Sequence, residues 1–311
     1  MVAKMRSDGT QVLPVDSGDL FFDPAGSAHQ ERARAKAALI AKVYRHMGVA
    51  AVNVGDVDLM QGLEFLREEA KRGLPLISAN LLDSRTGKPM FAPFVVKEVS
   101  GMRLAFFGLL GPRLSPALQR TLGDAVTVKD PLEAARELMA ALKGKADHIV
   151  LLSDLGLTGD QQLAKALPEI RFILGGHEGR FLNYPHQEGK TFIAQSYNKG
   201  MYMGKLKVVL EEFQSPWEDE GKGKRLQQDM SRMDARIRAV KSVLARSPSE
   251  GLQRQLEQLS RQREQVEQEL GRIQPITSGN RFAWEIDALG KATPEDPEVV
   301  RWIQEAGIDK D

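Results

Sequence analysis

Four residues of this 311-residue chain share one setting. Asp19, Asp56, Asp154 and His177 each close a short apolar run, and each has a glycine within two positions. Aspartate offers carboxylate oxygens and histidine a neutral ring nitrogen, and both are ligands of divalent ions. Three oxygen donors and one imidazole suit a hard cation such as Mg, Mn or Ca, with Zn as the borderline member, better than a thiol-loving metal. Asp58 stands two residues past Asp56 and offers the same chemistry. Aspartate after a strand also caps helices and makes turns, so the recurrence of the pattern at four strand ends is the signal.

The elements that must position these residues alternate. Val12, Leu13 and Val15 form a short strand ending in Asp16-Ser-Gly-Asp19, and Val49 to Val54 a second, ending in Gly55-Asp-Val-Asp58. Asp147 to Ser153 runs into Asp154, and Phe172-Ile-Leu174 into Gly175-Gly-His177. The segment from His29 to Met47 has apolar residues at helical spacing, as has Leu59 to Arg72. The histidines of the first segment, His29 and His46, are expected to be solvated. Leu74 to Ser78 is a further strand, and Pro93 to Val99 pairs antiparallel with Arg103 to Leu110 around Ser100-Gly101. Pro131 to Leu142 and the stretch around Leu163 are helices; Thr191 to Gln195 and Leu206 to Leu210 are strands. Strands alternating with helices predict an α/β sheet, whose sites form at the C-terminal strand ends.

Composition narrows the function classes. Hydrophobic residues make up 42% and charged residues 27%, as in ordinary globular proteins. With 43 basic and 42 acidic residues, no global field attracts nucleic acid. No apolar run is long enough for a membrane span, and the first residues lack a signal-peptide core. With 0 cysteines, disulfides, thiolate metal sites and iron–sulfur clusters are excluded.

The pattern changes near Lys224. Leu226, Met230, Met233, Ile237, Val240 and Leu244 repeat at alternating spacings of four and three. Ser247-Pro-Ser249 interrupts, and Leu252, Leu256, Leu259, Val266, Leu270 and Ile273 resume, with Arg263 in the remaining core slot. These are two heptad seams, predicting an antiparallel helical hairpin about 35 Å long. Residues 224–246 carry seven basic and two acidic side chains, and residues 249–273 four and five, so the arms are partly complementary. Aromatic residues are absent from both arms, which argues against single-strand nucleic-acid binding. The expected role is a contact arm for a protein partner or a second copy. Arg281 to Leu289 is expected to pair with Lys205 to Glu211, placing the hairpin at the tip of a β-hairpin. A proline-capped helix follows Pro294.

The chain resembles the bifunctional metallophosphatase/5′-nucleotidase family. Val15-Asp-Ser-Gly-Asp19 looks like its strand ending in Gly-Asp, and Val54-Gly-Asp-Val-Asp58 its Gly-Asn-His-Glu block. Leu151-Leu-Ser-Asp-Leu-Gly156 is similar to its Ser-His-Leu-Gly, and Gly175-Gly-His-Glu-Gly179 to its Gly-Gly-His-Ser-His. Phe94 to Gly111 and Pro294-Glu-Asp-Pro-Glu-Val299 match further blocks.

The resemblance implies a metallophosphoesterase-like α/β/β/α sandwich over residues 1–215 and 276–311, with residues 216–275 an inserted coiled-coil hairpin. It also implies divalent metals at the sheet edge and export from the cytoplasm. By that resemblance Asp19 and His177 are identical to family ligands, while Asp56 and Asp154 replace an Asn and a His. The family's catalytic His is Val57, the second His of its last motif is Gly179, and its first strand, bearing Asp-x-His, has no counterpart. Two expectations follow: a degenerate fold serving as a structural or interaction module, or a working metal-dependent phosphoesterase with an aspartate-rich site. A single Ca or Mg ion that only stabilises the fold is a third.

Overall fold

The computed structural model describes residues 1–23, 30–197, 200–211, 216–276 and 278–308. His29 lies outside the described residues. The chain divides into two compact units, Met1–Gly204 with Ile286–Asp311, and Lys205–Glu285.

In chain order the first unit opens with α1 (Val2–Ser7), β1 (Val15–Asp16), α2 (Gln30–Met47) and β2 (Ala51–Asn53). A 3-10 turn at Val57–Leu59 precedes α3 (Leu63–Lys71). The single helix expected from Leu59 is broken because Gly62, at φ +78°, carries the chain out of helical geometry. Next come β3 (Leu76–Ile77), β4 (Leu81–Asp83), β5 (Phe94–Val99), β6 (Met102–Leu110), α4 (Pro116–Leu122), β7 (Val126–Val128) and α5 (Pro131–Leu142). After them run β8 (His148–Asp154), α6 (Gly156–Ala166), β9 (Ile170–Gly175), β10 (His186–Glu188) and β11 (Thr191–Ala194). The β5–β6 connection bends through Ser100 and Gly101, both at positive φ, the backbone of a two-residue hairpin turn.

Two sheets carry the unit. The first is β1-β2-β3, all parallel. The second has the order β10-β11-β9-β8-β6-β5, with β6, β8, β9 and β11 parallel. Each sheet has its own apolar core. Val52 and Leu76 of the first pack with Ala37 and Ala41 of α2 and Leu63 and Leu66 of α3. Phe107, Leu151 and Ile173 of the second pack with Ala135 and Leu138 of α5 and Leu163 of α6. Strands of the first sheet are shorter than their apolar runs because Pro14 and Pro75 lack the N–H a ladder needs; each supplies only its carbonyl, to Ala50 and Val52.

The second unit takes in most of β12 (Tyr202–Val209), then β13 (Trp217–Asp219), α7 (Lys222–Leu244), α8 (Glu250–Gly271) and most of β14 (Asn280–Ala288). The heptad positions are half-buried, with Ile237 and Leu259 buried. Arg263, in the polar slot of the seam, donates to Asp234 on the other helix at 2.7 Å. The strand order is β12-β14-β13. Strand β13, which no sequence pattern predicts, runs parallel to β14. The two helices therefore form the crossover between parallel strands, and the tip of a β12–β14 hairpin is not where they start. In the first unit, α9 (Pro297–Glu305) begins at the Asp296 cap, which accepts from Glu298 and Val299. His46, expected to be solvated, contacts Asp296 at 3.4 Å and stands edge-on to Trp302.

Candidate metal centre

Parallel strands of both sheets end at one place. The turn after β1 carries Asp19, the turn after β2 carries Asp56, Asp154 is the last residue of β8, and His177 follows β9 by two positions. Their ligand atoms lie within 4.8 Å of one another. His177 Nδ1 is 3.2 Å from Asp154 Oδ1, 3.5 Å from Asp19 Oδ2 and 3.8 Å from Asp56 Oδ1. Asp154 is only 1% exposed, whereas the His177 side chain is 42% exposed, so the cluster opens to solvent on the histidine side.

The backbone is bent to bring these groups together. Asp19 (φ 58°) and His177 (φ 67°) are two of the four non-glycine residues at positive φ among the described residues. Such conformations persist only where surrounding contacts hold them, and they gather at functional sites. Gly55 is required for close approach: a Cβ there would lie 2.2 Å from Asp19 Oδ1 and 2.5 Å from the Asp19 amide. Ser17 donates to the Leu174 carbonyl at 2.7 Å and Asn53 to the carbonyls of Ser17 and Leu109, tying the sheets together just behind the cluster.

Backbone amides hold two of the carboxylates. Asp19 accepts from Val57 at 3.0 Å, and Asp154 accepts from Asp56 at 3.2 Å. Asp58 plays a different part from Asp56. It is buried and turned away from the cluster, and it accepts from the amides of Gly55, Asp19, Leu20 and Phe21 at 2.8–3.0 Å. By residue type both are ligand candidates; only Asp56 joins the cluster. Asp160, which sequence reasoning misses, sits fully buried in α6 behind the His177 turn, hydrogen-bonded to Ser153 and Gln195. Its one sequence signal is an acid on an otherwise apolar helix face.

The electrostatics are those of charges forced together. Burial raises the Asp154 pKa, and Asp19 and Asp56 add to the rise. Burial, then Asp19, raises Asp56. Hydrogen bonding to Asp154 and Asp19 raises His177 well above the usual imidazole range. A proton on His177 thus offsets carboxylate repulsion, a part that a divalent cation could take over. The donor set fits such an ion: three carboxylates and one imidazole, with the buried Asp56 Oδ1 receiving no protein hydrogen bond.

No family model matches the chain. Among curated proteins, an uncharacterised metallophosphoesterase, YunD of Bacillus subtilis (strain 168), is 31% identical over 211 residues, covering 67% of this chain and 44% of the relative. Among solved structures, the 5′-nucleotidase precursor of Thermus thermophilus matches with 25% identity and a TM-score of 0.57, over 68% of this chain and 44% of that one. The chain belongs to the metallophosphoesterase/5′-nucleotidase family. The calcineurin-like phosphoesterase YfkN from Bacillus subtilis shares the fold, with a TM-score of 0.64 over 98% of this chain and 86% of that structure at 18% identity. The chain spans less than half the length of the curated relatives YunD and the Vibrio cholerae 5′-nucleotidase. Use of a divalent metal is a property of metallophosphoesterases, and the Asp/His cluster supplies a place for one in this family member.

Proposed function

We propose that Asp19, Asp56, Asp154 and His177 hold one divalent cation, and that the chain is mainly a metallophosphoesterase-fold binding module with little or no phosphoester hydrolysis of its own. The observation that supports this is the occupancy of the neighbouring positions. Val57 presents an aliphatic side chain and gives only its amide to Asp19, and Gly179 offers no side-chain donor atom. Neither can transfer a proton or hold a second ion. When bound, a divalent cation polarises a phosphoryl or carboxyl oxygen and neutralises its charge. The chain's own residues orient that charge: Asp154 is held by the Asp56 amide, and His177 faces it from the solvent side. The α7–α8 hairpin serves as a contact arm for a protein partner or a second copy, and the chain works outside the cytoplasm, a placement supported by the description of its Thermus relative as a precursor.

A second reading, a hydrolase with an aspartate-rich site, is favoured by the preformed cluster itself. Incubation with Mn, Mg, Ca or Zn, followed by measurement of bound metal and of hydrolysis of an aryl phosphate and AMP, separates the two. One ion per chain, a melting temperature lowered by EDTA, and no turnover are expected. At a concentration 100 times its Kd, a bound ion adds about 2.7 kcal/mol to stability. Turnover that disappears in Asp19→Ala would establish the hydrolase, and binding of no ion would leave the metal reading without support.

A further inference from the structure

Asp160 is a fully buried acid that takes no part in the ligand cluster. It stands in the second turn of α6 and reaches three strands at once. Ser153 of β8, one residue before Asp154, donates to its Oδ1. Gln195, just past β11, approaches Oδ2 at 3.4 Å. Gly175, the last residue of β9 and two before His177, lies so close that a Cβ there would be 2.6 Å from both Asp160 Oδ2 and Gln195 Nε2. The Gly176 amide in turn donates to the Ser153 carbonyl at 2.8 Å. One carboxylate therefore touches the strand ends that lead into two of the four ligands.

We infer that Asp160 is a positioning residue: by bracing Ser153, Gly175 and Gln195 it sets the spacing between Asp154 and His177 and so the cation affinity of the cluster. Burying an acid without a cationic partner is unfavourable, and its hydrogen-bond partners Ser153 and Gln195 are neutral donors. A residue serving packing alone would do as well with an apolar side chain. An acceptor placed between two strand ends does what an apolar group cannot, because a hydrogen bond fixes distance as well as burying area. Asparagine could take over the role. Its oxygen accepts from Ser153, and the Gln195 amide, whose buried Oε1 receives no hydrogen bond, can turn to accept from the asparagine N–H.

This inference rests on the metal-binding reading for one of its readouts and stands apart from it in the other. In the full chain, Mn affinity by calorimetry is expected to fall at least tenfold in Asp160→Ala and to stay within about threefold of the parent in Asp160→Asn. Lys165→Ala, exposed on the same helix, should leave it unchanged. In the metal-free protein, amide exchange at Gly176 and His177 is expected to accelerate about tenfold in Asp160→Ala while α2 keeps its protection. Where Asp160→Ala fails to fold, Ser153→Ala carries the same two measurements. Unchanged affinity in Asp160→Ala, equal losses in the Asn and Ala variants, or exchange rising evenly through the fold would overturn the inference. Should the parent bind no Mn, the metal reading fails, and the exchange at Gly176 and His177 decides the positioning role alone.

Discussion

The two sheets deliver the residues of the Asp/His cluster to the same place by different means. In the six-stranded sheet, β6, β8 and β9 are 9, 7 and 6 residues long, and an almost continuous ladder carries Asp154 to its position. In the three-stranded sheet the strands are only 2 or 3 residues long. There the chain leaves the ladder early, and side-chain acceptors take over: half-buried Asp16 for the Gly18 amide, buried Asp58 for four more. Long strands bring their last residues close through regular geometry and share one buried acid, Asp160, among their ends, while the short strands rely on a separate polar group at each turn. The hydroxyl of Tyr44, donating to Asp16 at 2.7 Å, extends that polar scaffold to α2.

The largest effect is expected from removing that scaffold. Asp58→Ala leaves four amides without their acceptor, two in a buried and two in a part-buried setting. At about 1–3 kcal/mol for each unsatisfied group, partly relieved by relaxation, the loss should be on the order of 5 kcal/mol in urea unfolding. A loss below about 1 kcal/mol would show that the short strands hold their turns unaided.

The six-stranded side should respond to pH through Asp160, whose pKa burial lifts from the ordinary 3.8 to about 7. The folded chain then binds this proton more tightly than the unfolded chain. The stability the group contributes is whole below about pH 4, declines as pH rises to about 7, and is level above. Each pH unit between the folded and unfolded pKa is worth about 1.4 kcal/mol, so the parent should lose on the order of 4 kcal/mol across that window relative to Asp160→Asn. Parallel stability curves for the two proteins would mean that Asp160 titrates normally.

Two glycine substitutions sharpen the contrast further. A Cβ at Gly108 of β6 would meet Asn53 Oδ1 at 2.1 Å, and one at Gly55 would meet Asp19. Overpacking of this kind costs about 1–3 kcal/mol in either variant. Only Gly55→Ala displaces a residue of the Asp/His cluster, so under the metal-binding proposal it alone should weaken Mn binding. Equal binding losses would show that the cluster senses the sheet junction as a whole. The smallest effect is expected in the hairpin. Arg263→Leu exchanges ion pairs with Asp234 and Glu267 for an apolar seam residue, and half-exposed pairs contribute at most about 1 kcal/mol. Thermal unfolding should shift by no more than a few degrees.

The two regions also differ in how legible they are in the sequence. The six-stranded sheet announces itself by apolar runs such as Ile149 to Leu152, and β5–β6 by its Ser-Gly turn. The heptads of α7 and α8 are equally plain, and strand ends alone point to all four cluster residues. The supporting polar groups are not legible. Nothing local separates Asp56 from Asp58, since their roles diverge only when Asp19 to Phe21 fold over the second of them. Asp160 and Gln195 meet across 35 positions of sequence. Strand β13 is invisible because 3 residues carry no periodicity.

The parallel run of β13 and β14 sets the boundary at which this chain could be cut and rejoined. Glu211 meets Asn280 and Met201 meets Leu289, so β12 and β14 run in opposite directions. Excising only the two helices would leave Asp219 and Asn280 to be joined at opposite ends of parallel strands, which no tight turn can span. Taking β13 away with them leaves an antiparallel pair that a short loop closes. A transplantable cassette, whether moved by an engineer or by recombination between genes, therefore begins before Trp217 rather than at the first turn of α7.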